Sequence, residues 1–123
     1  MLAGNGAEAL KILTGEDPPR LAVLDWRMPH MEGPEVCQQL RRLQAENDYT
    51  YVIILTARGG ADDFELAIDA GTDEFVTKPV KEVDLKFRLS NGKRIVRLYR
   101  ELADARTEIA QLKRADSTLV HNQ

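Results

Sequence analysis

Two stretches of unbroken hydrophobic sequence, Leu21-Ala22-Val23-Leu24 and Tyr51-Val52-Ile53-Ile54-Leu55, each close on a single polar residue, Asp25 and Thr56. A strand with one wet face alternates apolar and polar side chains. A run with no polar member is dry on both faces, the condition of a parallel strand held between two helical layers. A third, weaker run, Glu74-Phe75-Val76-Thr77, closes on Lys78-Pro79. Helical patterns fill the intervals. Ala7 to Leu13 carries Ala9, Leu10, Ile12 and Leu13; Pro34 to Leu43 opens with proline and repeats Val36, Leu40 and Leu43. Asp62 to Ala70 begins with acids, which suit a helix N-terminus, and is followed by Gly71. This alternation predicts a parallel α/β sheet with right-handed crossovers and helices on both faces.

Composition limits what such a sheet can belong to. At 123 residues, 43% hydrophobic and 30% charged, the chain suits one domain with an appended element and is neither a membrane protein nor a disordered polyelectrolyte. No apolar run approaches the ~18 residues of a spanning helix, and Met1-Leu2-Ala3-Gly4 lacks the basic start of a secretory leader, so a cytoplasmic location is expected. A single cysteine, Cys37, excludes an internal disulfide, and two histidines, His30 and His121, exclude a zinc cluster.

Charge divides the chain unevenly. Residues 1–80 hold 7 basic and 14 acidic side chains, and residues 81–123 hold 10 basic and 6 acidic. From Glu82 to about Leu119 no proline interrupts a helical pattern that would span roughly 57 Å, too long to cover a small sheet. Ser90-Asn91-Gly92 is its one soft spot, because glycine in a helix costs about 1 kcal/mol relative to alanine. Beyond it runs a heptad. Ile95, Leu102, Ile109 and Asp116 occupy one set of positions, and Leu98, Ala105, Leu112 and Leu119 the other. β-Branched residues at the first set with leucine at the second favour a parallel two-stranded coil, in which Glu101 faces Arg106 of a partner chain and Glu108 faces Lys113. A homodimer through residues 95–119 is therefore expected; the plainer alternative is an amphipathic helix folded back on its own domain.

Reactive groups of an open parallel sheet gather where the loops leave the carboxyl ends of its strands. Three strand ends here carry a carboxylate, a hydroxyl and an ammonium: Asp25, Thr56 and Lys78. One polar residue closing a strand is ordinary. Three complementary ones at equivalent positions suggest a site.

Around these residues a resemblance becomes specific. Leu24-Asp25-Trp26-Arg27-Met28-Pro29 is similar to the phospho-acceptor loop of bacterial two-component response-regulator receiver domains. Leu55-Thr56-Ala57-Arg58 resembles their switch strand end, and Phe75-Val76-Thr77-Lys78-Pro79 their aromatic, lysine and cis-proline segment, with the likeness running from about Gly4 to about Leu98. The resemblance implies a flavodoxin-like receiver over residues 1–92 and a coiled-coil extension over 93–123. It implies that Asp25 accepts a phosphoryl group from a histidine kinase or phosphotransfer protein, a carboxylate being able to serve as a covalent nucleophile. Lys78 and Thr56 would hold the phosphoryl oxygens, with Ala57 and Pro79 shaping their surroundings, and Mg²⁺ would bind Asp25 and the backbone carbonyl of Arg27. Arg27 and Arg58 would influence dephosphorylation. Thr56 and Phe75 would form the switch, and the signal would pass through the last helix to an output domain that the sequence does not identify.

The likeness is incomplete. The family's first strand, first helix and most of its second strand have no counterpart, and with them goes the acidic pair that completes the magnesium site. Two outcomes are expected: the strand ending at Asp25 becomes a sheet edge, and Mg²⁺ affinity falls or is lost. The chain then reads as part of a longer receiver, or as one whose sheet a partner completes; a degenerate receiver acting only in dimerisation or docking is the functional alternative.

Other motifs are set aside. Gly4-Asn5-Gly6-Ala7-Glu8-Ala9 fits a dinucleotide fingerprint but has no strand before it. Cys37 reads as a packed thiol, Trp26 as a cover on the site's edge, and Met28, His30 and Met31 as loop residues. No acid falls between Lys86 and Arg100, yet no aromatic interleaving accompanies that basic run. Pairing with the acidic first 80 residues, or with a neighbouring subunit, is expected in place of nucleic-acid contact.

Overall fold

The computed structural model describes residues 4–45, 48–57 and 60–121, with side chains through residue 116. Its elements follow the order read from the sequence: α1 (Gly6–Leu13), β1 (Leu21–Asp25), α2 (Gly33–Leu43), β2 (Tyr51–Thr56), α3 (Ala61–Asp69), β3 (Glu74–Thr77) and α4 (Glu82–His121). The strands form one parallel sheet in the order β1-β2-β3, with Leu21 opposite Tyr51 and Thr56 opposite Thr77. Among the described residues β1 pairs on one side only, the edge position expected of it.

Two apolar layers sandwich the sheet. Ala22, Leu24, Val52 and Ile54 point toward α1, α2 and α3, where they pack with Ala9, Leu13, Val36, Cys37, Leu40 and Ala67. Tyr51, Ile53 and Val76 point the other way, toward Leu89 and Val96 of α4. β2 sits between partners on both edges and layers on both faces, which explains why its first four residues are all buried.

Local chemistry sets the helix ends. The Asn5 side chain caps α1 by accepting from the Glu8 backbone N–H at 2.8 Å, so the glycine pattern around it is a helix start and no cofactor loop. α3 ends in a Schellman turn: Gly71 takes φ 83°, its N–H donates to Ile68 O and the Thr72 N–H to Ala67 O. Behind that turn Arg41 fastens three elements. Its guanidinium pairs with Asp73 at 2.9 Å, donates to the backbone carbonyls of Thr50 and Gly71, and lies over the Tyr49 ring. Tyr49 in turn donates to Asp73 and stacks on Tyr99 of α4.

α4 runs unbroken for 40 residues, about 60 Å at ~1.5 Å per residue. The soft spot expected at Ser90-Asn91-Gly92 is a seat. A Cβ on buried Gly92 would lie 2.7 Å from Tyr51 Cδ1 and 2.8 Å from Leu21 Cδ1, so the missing side chain lets the helix backbone settle onto the sheet. Beyond Ala103 every residue of α4 with a described side chain is exposed. The alternative of a distal half folded back on its own domain is thereby overturned. Ile95, Leu98, Leu102, Ile109 and Leu112, between 42% and 60% exposed, form an apolar stripe along it; Leu119 lies outside the described side chains.

Candidate functional site

At the carboxyl end of the sheet, β1, β2 and the turn after β3 deliver Asp25, Thr56 and Lys78 to one cleft of about 120 Å³, which Trp26, Arg27, Leu55 and Ala57 also line. Adjacent parallel strands set this convergence, since their final residues share one rim. Lys78 Nζ stands 2.7 Å from Asp25 Oδ1, and both side chains are about half exposed. The carboxylate is thus reachable from solvent, and its partner charge is already in place. The Lys78 N–H donates to Thr56 O at 2.6 Å, which fixes the lysine's starting point relative to the hydroxyl-bearing residue. Thr56 itself is buried, and the small Ala57 beside it leaves the mouth open.

The loop after Asp25 is held by contacts that composition could not disclose. Trp26 N–H donates to Leu55 O, Gly33 N–H to Trp26 O, and Gly6 N–H to Pro29 O. Gly33 and Gly6 both permit close approach. A Cβ on Gly33 would sit 2.6 Å from the Asp25 carbonyl oxygen, and one on Gly6 would collide with Met31. These glycines, at the starts of α2 and α1, let two helices press against the loop after Asp25; the signal available in the sequence was only glycine at a helix start.

Trp26 lines the cleft, as expected of a residue at the site's edge, and its ring is also used as core: it is 3% exposed, the ring meets Phe75 edge-on at 5.8 Å, and its Nε1–H donates to Glu32 at 3.2 Å. Its apolar body is used as core while its one donor is satisfied. Phe75 lies between Trp26 and Phe64 of α3, whose ring is 4.4 Å away. Neither Phe75 nor Pro79 lines the cleft. Lys78–Pro79 is a cis peptide bond, and Arg58 lies outside the described residues.

The cleft's lining includes one carboxylate, Asp25, and no cluster of three or more metal-ligating side chains occurs among the described residues. Cys37, elsewhere, is a buried thiol that desolvation pushes up to about 11. The basic run is mostly solvated. Among the described residues Arg88 is the member of that run paired with the acidic first 80 residues, through Glu74 at 2.6 Å; Lys86 meets Glu82, 3.8 Å away on its own helix.

The model of the response regulator receiver domain matches residues 1–90. This chain belongs to the response regulator receiver family. It is 38% identical over 88 residues to the response regulator MprA of Mycobacterium ulcerans, covering 72% of this receiver and 36% of that protein. The chain thus spans about a third of the relatives' length. Among solved structures it is similar to the receiver domain of the Francisella response regulator 1452, with 30% identity, a TM-score of 0.66 and coverage of 77% and 76%. It shares the fold of the receiver domain of the Pseudomonas aeruginosa sensor histidine kinase PA1611, solved with magnesium coordinated in its active-site cleft, at 23% identity and a TM-score of 0.64 over 74% and 73%. The receiver carries in addition the long C-terminal helix, and no helix among its described residues is long and apolar enough to cross a membrane.

Proposed function

We propose that this receiver accepts a phosphoryl group on Asp25 and passes the change through α4 to an output domain or partner. The juxtaposition of Asp25, Thr56 and Lys78 in one cleft, with lysine and carboxylate 2.7 Å apart, carries the reading. An Asp25 oxygen attacks the phosphorus of a phosphohistidine on a histidine kinase or phosphotransfer protein. The new O–P bond forms as the N–P bond breaks, and the electron pair leaves on the imidazole. Such transfer needs positioning and charge neutralisation more than covalent assistance. Lys78 supplies the positive charge, moving from the carboxylate to the phosphoryl oxygens, and the Thr56 hydroxyl donates to one of them. Ala57 keeps the approach open, and Pro79 closes the segment that presents Lys78. The cytoplasm is the compartment this chemistry implies, and the chain serves as phosphoryl acceptor.

A magnesium ion would find Asp25 and the carbonyl of Arg27 here. The ion usually takes one or two carboxylates with phosphate oxygens and water, so these residues by themselves make a weak site and not a cage. No step is assigned to it. The second reading, a receiver that docks or dimerises without being phosphorylated, rests on the exposed apolar stripe of α4.

The signal path in the proposal starts at Thr56. A phosphoryl group adds about −1.5 to −2 charge. Thr56 turns toward it, and Phe75, wedged between Trp26 and Phe64, shifts with it, altering the face of α3, β3 and the start of α4. Residues 1–92 act as the receiver and 93–123 as the extension. The exposed stripe from Ile95 to Leu112 supports a parallel homodimer through residues 95–119.

Incubation of the full chain with acetyl phosphate and Mg²⁺, followed by intact mass, tests the acceptor. One added phosphoryl group that disappears in Asp25→Asn is expected. No addition to the intact chain would refute phosphorylation and leave the docking reading.

A further inference from the structure

We infer that the groove between α2 and α3 is a docking site for a basic, amphipathic helix of a partner protein. The groove is a cavity of about 270 Å³ built wholly by residues 26–70. Buried Trp26 and Ala70 form its floor. α2 contributes Glu35 and Gln38 and α3 contributes Leu66 and Asp69, all four exposed. Each pair stands three residues apart, which puts both members on one face of their helix.

Size narrows the occupant. The cavity has room for about nine waters at ~30 Å³ each, and falls just short of the ~300–1,000 Å³ of small-molecule sites. One or two side chains of a peptide suit it better than a cofactor. The apolar part of the lining rewards an apolar anchor: Leu66 is 53% exposed, and Trp26 and Ala70 offer a hydrophobic floor.

Charge narrows it further. The ionisable residues of the lining are Glu32, Glu35 and Asp69, three carboxylates with no cation among them. Glu32 accepts from the Trp26 Nε1–H, whereas Glu35 and Asp69 have no ion pair among the described residues. Like charges around one opening repel, and an entering guanidinium or ammonium relieves that repulsion. The same carboxylates turn away nucleic acid and anionic lipid, so the occupant is a basic protein segment. A groove between two helices takes a third helix, with anchors at i, i+3 and i+4. A second copy of the chain carries Arg94 and Arg97 beside Ile95 and Leu98, the stripe already assigned to the homodimer, and a separate protein is the better match. Trp26 also lines the Asp25 cleft, so a segment seated here lies one side chain away from that carboxylate.

The test uses the full, unphosphorylated chain and an alanine-based peptide of about fifteen residues with leucine and arginine at i, i+3 and i+4 along one face. Trp26 is the chain's one tryptophan, so its emission reports on the groove directly. A saturable change in that emission is expected, weakening as salt is raised. Glu35→Gln combined with Asp69→Asn should weaken binding about tenfold. Asp62→Asn combined with Glu65→Gln makes the same change of charge on exposed residues of α3 outside the groove, and should alter binding less than about twofold. Gln38→Phe fills the groove without changing charge and should also weaken binding about tenfold. Absence of saturation up to about 1 mM peptide would overturn the proposal. So would equal losses in the two charge pairs, or equal binding of the peptide with glutamate in place of arginine. A concentration-dependent Trp26 change without peptide, abolished by Glu35→Gln with Asp69→Asn, would give the groove to a second copy and overturn it too. Phosphorylation takes no part in the titration, so its outcome is separate from that of the Asp25 reading.

Discussion

Gly92 poses a contest between two effects of opposite sign. In a helix interior, alanine is better than glycine by about 1 kcal/mol, so Gly92→Ala should stabilise α4 if the position were free. The new methyl would instead meet Tyr51 Cδ1 at 2.7 Å, Leu21 Cδ1 at 2.8 Å and Tyr51 Cε1 at 3.0 Å. Comfortable carbon contacts are ~3.5–4.0 Å, so neighbours must retreat by somewhat under 1 Å. The Leu21 methyl, half-buried at the sheet edge, can rotate away. The Tyr51 ring cannot: it is 5% exposed, and its hydroxyl donates to Glu74 at 2.7 Å. Overpacking against a fixed group costs about 1–3 kcal/mol, which exceeds the helix gain. Gly92→Ala should therefore destabilise the receiver by about 1 kcal/mol, while Ser90→Ala, an exposed change on the same helix, should be neutral or stabilise it by a few tenths. Urea unfolding followed by circular dichroism at one fixed protomer concentration measures both. A rise in midpoint for Gly92→Ala would refute the reasoning, because it would mean that α4 does not rest on Tyr51 at that point.

Arg41→Ala should cost about 3 kcal/mol in the same assay, since it strands a mostly buried Asp73 and two carbonyls, and Arg41→Lys should recover only part of the loss because a point charge cannot serve all three. Stability should fall between pH 9 and about 11. Burial raises the Cys37 thiol from 9.0, so the folded state favours the protonated form; this contribution is fully present below 9 and is lost as pH rises through 11. The two-unit difference amounts to about 3 kcal/mol, and Cys37→Ala should show a correspondingly shallower alkaline decline in urea midpoint. Replacing Leu102 and Ile109 by aspartate should convert the expected dimer to a monomer by sedimentation and remove the concentration dependence of the melting temperature.

Much of the fold was written in local patterns. A strand such as Tyr51–Thr56, dry on both faces, has few places to go except the middle of a layered parallel sheet, and helices between such strands fix the crossovers. The candidate site was legible for the same reason. In a parallel sheet all strands end on one rim, so the last residues of three strands must be neighbours. The heptad announced itself because a helix repeats its face at a constant interval.

Residue type and spacing do not reveal how far apart two backbones lie, and that is where tertiary structure decided the outcome. Gly92, read by propensity as a weakness in a long helix, is the contact that seats it; Gly33 and Gly6 let helices press on the loop after Asp25. Trp26 went inward because Phe75 offers it a packing face and Glu32 an acceptor, neither of which its neighbours in sequence predict. The Arg41 network joins residues about thirty positions apart through directional hydrogen bonds, which no local period encodes. Hydrophobic patterning acts along the chain and is legible there, whereas close approach and hydrogen-bond geometry exist only between segments that folding has brought together.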